Sequence, residues 1–148
     1  MRDPISISIN WTENLQFMAK NDKTDVEVVI GPQAAGENEG KNGTGPKHLF
    51  LQGLAGCSGG AIIFLLEKMR AEMPSKFTID VMGKLTSEHP MYFETIDMIY
   101  HFDGNTDQKI IKKAVMMSEE KYCGLTYMLG KAAKINISIV LNGKRIEV

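Results

Sequence analysis

Two cysteines carry the most distinctive chemistry in this sequence. Cys57 lies in the segment LAGCSGG and Cys123 in the segment SEEKYCG. Two thiols can form a redox couple, in which one thiolate attacks an oxidant and the second thiol closes a disulfide. On composition alone, two unrelated buried cysteines that act as small hydrophobic side chains are the more common arrangement. The glycines around Cys57 favour the redox couple, because they leave open space beside a sulfur that a packing role would fill.

The three histidines offer a weaker case for a site. His89 precedes Pro90 in a predicted turn, and His101 alternates outward from a predicted strand, so both are expected at the surface. The two cysteines and the histidines show no metal-ligand spacing, so a zinc site is not expected. We predict neither a metal nor another cofactor.

The elements that position the first cysteine begin with strands. Apolar and polar residues alternate at 5–11, again at 15–19 and at 26–30, with a turn at 21–23. This period of two is typical of half-buried strands and predicts an antiparallel meander with one apolar face. Residues 31–46 are rich in glycine and proline and predict a mobile loop.

Cys57 itself is predicted to lie on a long helix. Thr44 or Gly45 can cap this helix, with Pro46 at its first position, and the apolar pattern runs over residues 47–73 until Pro74. The helix is apolar on most sides and rich in glycine in its first half. Because each helical glycine costs about 1 kcal/mol relative to alanine, we expect another helix or backbone to approach closely there. The helix is interpreted as a core helix rather than a membrane span.

The second cysteine follows two further strands and a second helix. Strands are predicted at 77–85 and 91–102, then a helix capped by Asn105 or Thr106 that reaches Cys123 and breaks at Gly124. The rest of the chain is predicted to contain a helical turn at 125–129 and a strand at 135–141, followed by a tight Asn-Gly turn and a last strand at 144–148.

The expected stripe of core residues on the second helix is Ile111, Val115, Ser118 and Tyr122. The element order predicts an α+β protein with antiparallel sheets and without β-α-β units.

Length and charge narrow the classes of function. The chain has 148 residues, which predicts one domain over residues 1–148. Its 17 basic and 18 acidic side chains give a net charge of −1. This balance argues against nucleic-acid or membrane-surface partners, which need a basic excess. The N-terminus lacks the apolar segment of a secretory signal, so we expect a soluble cytoplasmic protein.

Two segments of the sequence resemble one known family. Residues 45–57, GPKHLFLQGLAGC, together with LEKMR at 66–70, resemble the signature helix of the OsmC/Ohr family of osmotically inducible and organic-hydroperoxide-resistance proteins. Residues 114–123, AVMMSEEKYC, resemble the second cysteine segment of that family. Both segments occur in the family's order, and the predicted element order is similar to its α+β architecture over nearly the whole chain.

This resemblance implies a fold, a chemistry and a set of partners. It implies an intertwined homodimer whose two sheets enclose long central helices, which would explain the helical glycines. Cys57 matches the peroxidatic position and Cys123 the resolving position, so the implied substrates are organic hydroperoxides. A dithiol reductant of the lipoyl type is the implied recycling partner, and no metal or prosthetic group is involved.

The sequence also departs from the family pattern. Active peroxidases of the family carry a glutamate where Lys47 stands here, and a strand arginine that pairs with it, whereas the only arginine before Cys57 is Arg2. Lys47 lies about 15 Å from Cys57 along a straight helix and is expected to be solvated. Lys47, His48 and Gln52 are the candidates for substrate contacts.

The predicted function is therefore a thiol-dependent peroxidase that reduces organic hydroperoxides through Cys57 and Cys123. The alternative, favoured by Lys47 and by the absent strand arginine, is a dimer without peroxidase activity. Such a protein would bind a small apolar or thiol-bearing ligand in the cleft that contains the cysteines.

Overall fold

The computed structural model describes residues 2–31 and 43–148. These residues form two compact units, Met1–Phe50 and Leu51–Val148. The predicted loop at 31–46 falls largely on residues 32–42, which lie outside the described residues. The single domain over residues 1–148 stays a prediction.

The first unit contains the predicted meander. Strands β1 (Ile7–Glu13), β2 (Gln16–Asn21) and β3 (Thr24–Ile30) form an antiparallel sheet in the order β1-β2-β3. Trp11 pairs with Phe17, and Phe17 pairs with Ile30, so these apolar side chains share one face. The alternation in the sequence was sufficient to predict all three strands.

Helix α1 (Pro46–Lys68) begins in the first unit and continues into the second. It starts at Pro46 as predicted, but it ends at Lys68, several residues before the predicted end. The reason is local, because Arg70 adopts a left-handed conformation with φ of 53° and the Ala71 N–H donates to the Leu66 carbonyl over 3.0 Å. This geometry closes the helix before Pro74 is reached.

The second unit is built on a four-stranded sheet. Its strands are β4 (Lys76–Leu85), β5 (Phe93–Asp103), β6 (Lys134–Leu141) and β7 (Lys144–Ile146), in the order β4-β5-β6-β7. The β4–β5 and β6–β7 pairs are antiparallel, whereas β5 and β6 are parallel. The α+β class is confirmed, but the expectations of purely antiparallel sheets and of no β-α-β unit were wrong for this sheet.

The crossover between β5 and β6 carries the second cysteine. It consists of α2 (Gln108–Met117), a π-helical turn (Ser118–Tyr122) and α3 (Gly124–Leu129). The side chain of Asp107, not of Asn105 or Thr106, caps α2 by accepting from the N–H groups of Lys109 and Ile110.

The π-helical turn also corrects the predicted core stripe. Ile111, Val115 and Ser118 are buried, but Tyr122 is exposed. A regular helix would have placed Tyr122 below Ser118 on the same face. The wider π turn rotates the residues that follow it, so Tyr122 leaves that face. Glu119, four residues after Val115, is buried.

Helix α1 packs on one face of the second sheet. Its residues Leu54, Ile62, Leu65 and Leu66 are buried in a core that also contains strand residues and one face of α2. By length and composition alone, α1 could also cross a membrane. The burial of these four leucine and isoleucine side chains supports the interpretation as a core helix.

Candidate functional site

Cys57 lies in the middle of α1 and is half-buried. Its side chain packs against the hydrophobic core of the second unit. On the helix surface around it, a Cβ atom added at Gly53, Gly56 or Gly60 would meet no atom within 4 Å in the described part of the chain. The glycines therefore leave the surface beside Cys57 open, as their positions in the sequence predicted.

Cys123 lies between the π-helical turn and α3, and only 2% of it is exposed. It is the N-cap residue of α3, in an extended conformation with φ of −87° and ψ of 100°. Its Sγ accepts hydrogen bonds from the Thr126 hydroxyl at 3.1 Å and from the Thr126 N–H at 3.4 Å. Its own N–H donates to the Ser118 carbonyl over 2.8 Å. These bonds fix the position of the sulfur.

The side chains of Cys57 and Cys123 lie close enough to interact, and both are free thiols. Burial raises the pKa of the Cys123 thiol, which is the largest effect. The hydrogen bonds from Thr126 lower that pKa, and the hydrogen bonding and charge of Cys57 raise it. The fold therefore brings together the two residues that the sequence predicted, one half-exposed and one buried and protonated at neutral pH.

A buried polar cluster lies next to the thiols, and it is formed by Ser58, Tyr100 and Glu119. The Ser58 hydroxyl donates to Glu119 Oε1 over 2.8 Å and lies 2.5 Å from the Tyr100 hydroxyl. The Tyr100 hydroxyl also donates a short hydrogen bond to Glu119 Oε1. The hydroxyl of Ser118 donates to the Ser58 carbonyl over 3.2 Å. The cluster thus joins α1, β5 and the π-helical turn.

The two acids of this cluster are in unusual surroundings. Tyr100 is fully buried, and its pKa is raised far above the usual range by that burial, then by the Glu119 charge and hydrogen bond, with a further contribution from Cys123. Glu119 is only 9% exposed, and its Oε2 has no hydrogen-bond partner among the described residues. Buried carboxylate oxygens normally have partners, so this atom requires an explanation.

This cluster was not predicted from the sequence. Ser118 was expected in the core stripe of the second helix, whereas the adjacent Glu119 was not. Glu119 lies four residues after Val115, at the edge of that stripe, but a charged side chain is seldom found buried. Two features of the sequence could have indicated a polar site. The polar residue Ser58 directly follows Cys57, and Tyr100 is an inward-facing tyrosine in β5.

An open cavity of about 620 Å³ lies beside the cluster in the second unit. Glu119 and Thr126, the hydrogen-bond partner of Cys123, line one part of it. Ile135 and Ile137 of β6 supply apolar surface, and Lys131 supplies a positive charge. A ligand with an apolar body would fit this lining better than a highly charged one.

The remaining candidates from the sequence lie at the surface. Lys47 and His48 are exposed in the first unit, and Gln52 is exposed in the second unit. Their roles as substrate contacts stay predictions. His89 is exposed, and His101 Nε2 lies 2.9 Å from Asp80 Oδ2 on the sheet surface.

No group of three or more histidine, cysteine or acidic side chains is arranged to hold a metal ion within residues 2–31 and 43–148.

Comparisons with known proteins place the sequence beside one family. A family model described as OsmC-like protein matches residues 36–138. Protein YhfA of Escherichia coli K12 is 28% identical over 135 residues, which cover 88% of this chain and 92% of that protein.

Solved structures share the fold. A hypothetical protein from Aquifex aeolicus VF5 superposes with a TM-score of 0.81 at 24% identity, covering 95% of this chain and 98% of that chain. An organic hydroperoxide resistance protein OsmC from Legionella pneumophila, also described as a predicted redox protein, superposes with a TM-score of 0.69 at 15% identity, covering 93% and 97%.

Proposed function

The chain belongs to the OsmC-like protein family, and from that membership and its thiol pair we propose that it is a thiol-dependent peroxidase that reduces organic hydroperoxides. The observation that carries the proposal is the proximity of two free thiols, Cys57 and Cys123, of which one is half-exposed. The fold shared with a protein described as an organic hydroperoxide resistance protein supports the substrate class.

The different exposure of the two thiols supports the following order of reaction. The half-exposed Cys57 thiolate attacks the terminal oxygen of R–O–OH and breaks the O–O bond. The alkoxide takes up a proton and leaves as the alcohol, and Cys57 becomes a sulfenic acid, S–OH. The Cys123 sulfur then attacks the Cys57 sulfur, and water leaves as the disulfide forms. A dithiol reductant, of the lipoyl type, restores both thiols and is itself oxidised to a disulfide.

The activation of Cys57 has to differ from that in the well-described family members. Lys47 occupies the position of the family glutamate, and Arg2 is the only arginine that precedes Cys57. Only a few per cent of an ordinary thiol is ionised at neutral pH. The peroxidase therefore needs another source of thiolate stabilisation at Cys57.

The experiment is a titration of the purified protein with cumene hydroperoxide and dihydrolipoamide as the dithiol. We expect catalytic loss of hydroperoxide with the natural chain and none above background with Cys57→Ser. With Cys123→Ser and without the dithiol, one equivalent of hydroperoxide should be consumed, and the sulfenic acid should be trapped by dimedone. Equal consumption by the natural chain and by Cys57→Ser would refute the proposal.

The cavity favours a second candidate, which is binding of a small apolar or thiol-bearing ligand without peroxidase activity. Its volume of about 620 Å³ lies in the range of small-molecule sites, and it extends to Thr126 beside Cys123. The two candidates differ in the reactivity of Cys57. The measurement is the rate of Cys57 alkylation as a function of pH. A pH midpoint well below that of a free thiol supports the peroxidase, and a midpoint like that of a free thiol supports the binding protein.

The assembly that we propose is a homodimer in the cytoplasm, where free thiols are kept reduced. The face of the first sheet that carries Ile7, Ile9, Trp11 and Val26 is largely exposed in the single chain. The helical surface at Gly56 and Gly60 is open as well. Contiguous apolar surface of this kind marks an interaction site, and a second copy of the chain is the occupant that we propose.

A further inference from the structure

The hydroxyl of Thr126 is a buried hydrogen-bond donor that is directed at a sulfur. Thr126 is only 7% exposed, and its hydroxyl and its N–H donate to Cys123 Sγ over 3.1 Å and 3.4 Å. A neutral thiol is a weak acceptor, whereas a hydrogen bond to an ionised group is about twice as strong. Two donors on one buried sulfur therefore favour its charged form, at a place where burial opposes that form.

The two sulfurs differ in how well a molecule from solvent can reach them. Cys57 is half-buried on α1, whereas Cys123 is only 2% exposed. In thiol–disulfide exchange, access decides which of the two sulfurs the incoming thiolate attacks. In a disulfide between these residues, a reductant from solvent reaches the sulfur of Cys57, so Cys123 is the leaving group.

The rate of such an exchange depends on how readily the leaving sulfur carries negative charge, and a thiol of lower pKa leaves faster. Burial raises the pKa of Cys123 and would make it a slow leaving group. The hydrogen bonds from Thr126 lower that pKa and act in the opposite direction. Thr126 therefore offsets the effect of burial at the atom where the charge develops.

We propose that Thr126 is a catalytic residue of disulfide reduction, in which its hydroxyl stabilises Cys123 as the leaving thiolate while the reductant attacks Cys57. This inference rests on the redox pairing of the two cysteines in the proposed function. It adds the order of events by which the dithiol restores the thiols.

Atoms and electrons balance in this step. One thiolate of the dithiol bonds to the Cys57 sulfur, and the bond between Cys57 and Cys123 breaks with its electron pair on Cys123. The Cys123 thiolate accepts the hydrogen bonds from Thr126 and then takes up a proton. The second thiolate of the reductant attacks the reductant sulfur of the mixed disulfide, and Cys57 leaves and takes up the second proton. The two protons lost by the dithiol are thus regained by the cysteines, and the dithiol becomes a disulfide.

The first experiment locates the sulfur that the reductant attacks. The disulfide is made with diamide, so that no reaction with hydroperoxide is needed, and the monothiol 2-mercaptoethanol is then added. Samples are quenched in acid, and the mixed disulfide is located by mass spectrometry. Cys57 and Cys123 lie in different tryptic peptides, which end at Lys68 and Lys131. We expect the adduct on Cys57, and an adduct mainly on Cys123 would overturn the proposal.

The second experiment measures the rate at which dihydrolipoamide reduces the diamide-made disulfide. We expect Thr126→Val to be about 3- to 10-fold slower than the natural chain, because the leaving sulfur carries only part of the full charge in the transition state. Thr126→Ser keeps the hydroxyl and should retain most of the rate. An unchanged rate in Thr126→Val would overturn the proposal. A normal rate in Thr126→Val with a slow Thr126→Ser would also overturn it, because the side chain would then act through packing of its methyl group.

Two control variants make the same change at other threonines. Thr106 is 4% exposed, and its hydroxyl donates to the Glu72 carbonyl instead of a sulfur. Thr78 is exposed in β4. Thr106→Val and Thr78→Val should both keep the natural rate of reduction. Slowing in Thr106→Val equal to that in Thr126→Val would assign the effect to general loosening of the core and overturn the proposal.

Failure of the peroxidase proposal has a different signature. In that case cumene hydroperoxide would not oxidise Cys57 in the natural chain, while the disulfide made with diamide would still report on Thr126. If diamide gives no disulfide between Cys57 and Cys123, the inference about Thr126 is overturned, because Cys123 is then never a leaving group.

Discussion

At the scale of single residues, the two thiols of the site have different surroundings and hence different tasks. Cys57 lies on an open helical surface, whereas Cys123 is enclosed and held by Thr126. Burial raises the pKa of Cys123 and the hydrogen bonds from Thr126 oppose that effect. The net effect keeps the buried thiol protonated at neutral pH.

The Thr126 hydroxyl should control the ionisation of Cys123. Because it donates to Sγ over 3.1 Å, it stabilises the thiolate, and Thr126→Val should raise the pKa of Cys123. A hydrogen bond to a charged group is worth about 1.5–3 kcal/mol, so the thiolate population below the pKa should fall by about tenfold or more. The measurement is thiolate absorbance against pH in a Cys57→Ser background, where Cys123 is the only thiol.

Thr78→Val serves as the control for this experiment, because Thr78 is an exposed threonine in β4. It should leave the titration of Cys123 unchanged. A Cys123 pKa that stays constant or falls in Thr126→Val would contradict the assigned role of the hydroxyl.

Cys57 and Cys123 could be singled out from the sequence as candidate site residues, but the buried Glu119 could not. Cys57 and Cys123 were found from residue type and from the family resemblance, which require no geometry. Glu119 lies four residues after Val115, at the edge of the buried face of the second helix, but a charged side chain is seldom found buried, so its residue type argues for the surface. The π-helical turn that rotates Tyr122 out of the core stripe has no simple signature in the residue pattern.

At the scale of elements, the crossover of α2, the π-helical turn and α3 positions most of the site. It supplies Glu119 and Cys123, and its first helix packs on the core through Ile111, Ala114 and Val115. The start of the crossover is fixed by Asp107, which accepts hydrogen bonds of 2.7 Å from the Lys109 N–H and 3.4 Å from the Ile110 N–H.

Removal of this cap should destabilise the protein. Asp107→Ala leaves the first N–H groups of α2 without a side-chain acceptor, and we expect a loss of about 1 kcal/mol in the free energy of unfolding. Denaturation with urea, followed by circular dichroism, measures the change. Asp107→Asn is the matched control, because its side-chain oxygen can still accept and should retain nearly all the stability. An equal loss in both variants would assign the effect to charge rather than to capping.

The ends of elements were harder to predict than the elements themselves. The cap of α2 was placed one or two residues too early, because Asn105, Thr106 and Asp107 are all suitable N-cap types and only the backbone selects among them. The hairpin turn was predicted correctly, since Asn142 and Gly143 both adopt positive φ, of 48° and 79°, as their residue types favour.

At the scale of the whole molecule, the single chain leaves much apolar surface uncovered. Ile7, Ile9 and Trp11 of β1 are 67%, 49% and 68% exposed. Gly53, Gly56 and Gly60 of α1 have no packing reason within the described chain, although each costs about 1 kcal/mol of helix stability. A second copy that covers these surfaces would account for both observations.

The dimer proposal predicts a mass of twice 16.4 kDa in solution, measured by light scattering coupled to gel filtration. The double variant Ile9→Lys with Trp11→Lys places two charges on the apolar face and should yield a monomer of 16.4 kDa. Ser8→Lys with Asn10→Lys adds the same charges to the opposite face of β1 and should remain dimeric. A natural chain that elutes as a monomer would end the proposal.

The architecture of the second sheet was predicted only in part. Alternation identified its strands, and the α+β class followed from their order. The parallel pairing of β5 with β6 was missed, because it joins strands that are far apart in the sequence and depends on how the crossover packs. Residue patterns report which face of a strand is buried, but not which strand lies beside it.

That parallel pair also affects how a newly made chain matures. During synthesis on the ribosome, β4 and β5 can form their hairpin as soon as β5 has left the exit tunnel. The edge of β5 that pairs with β6 then stays unpaired until Lys134–Leu141 has emerged. Until that point, the segment that contains Cys123 is attached to the sheet only at its β5 end. Both thiols of a nascent chain are therefore exposed to oxidants before the enclosure that protects Cys123 exists.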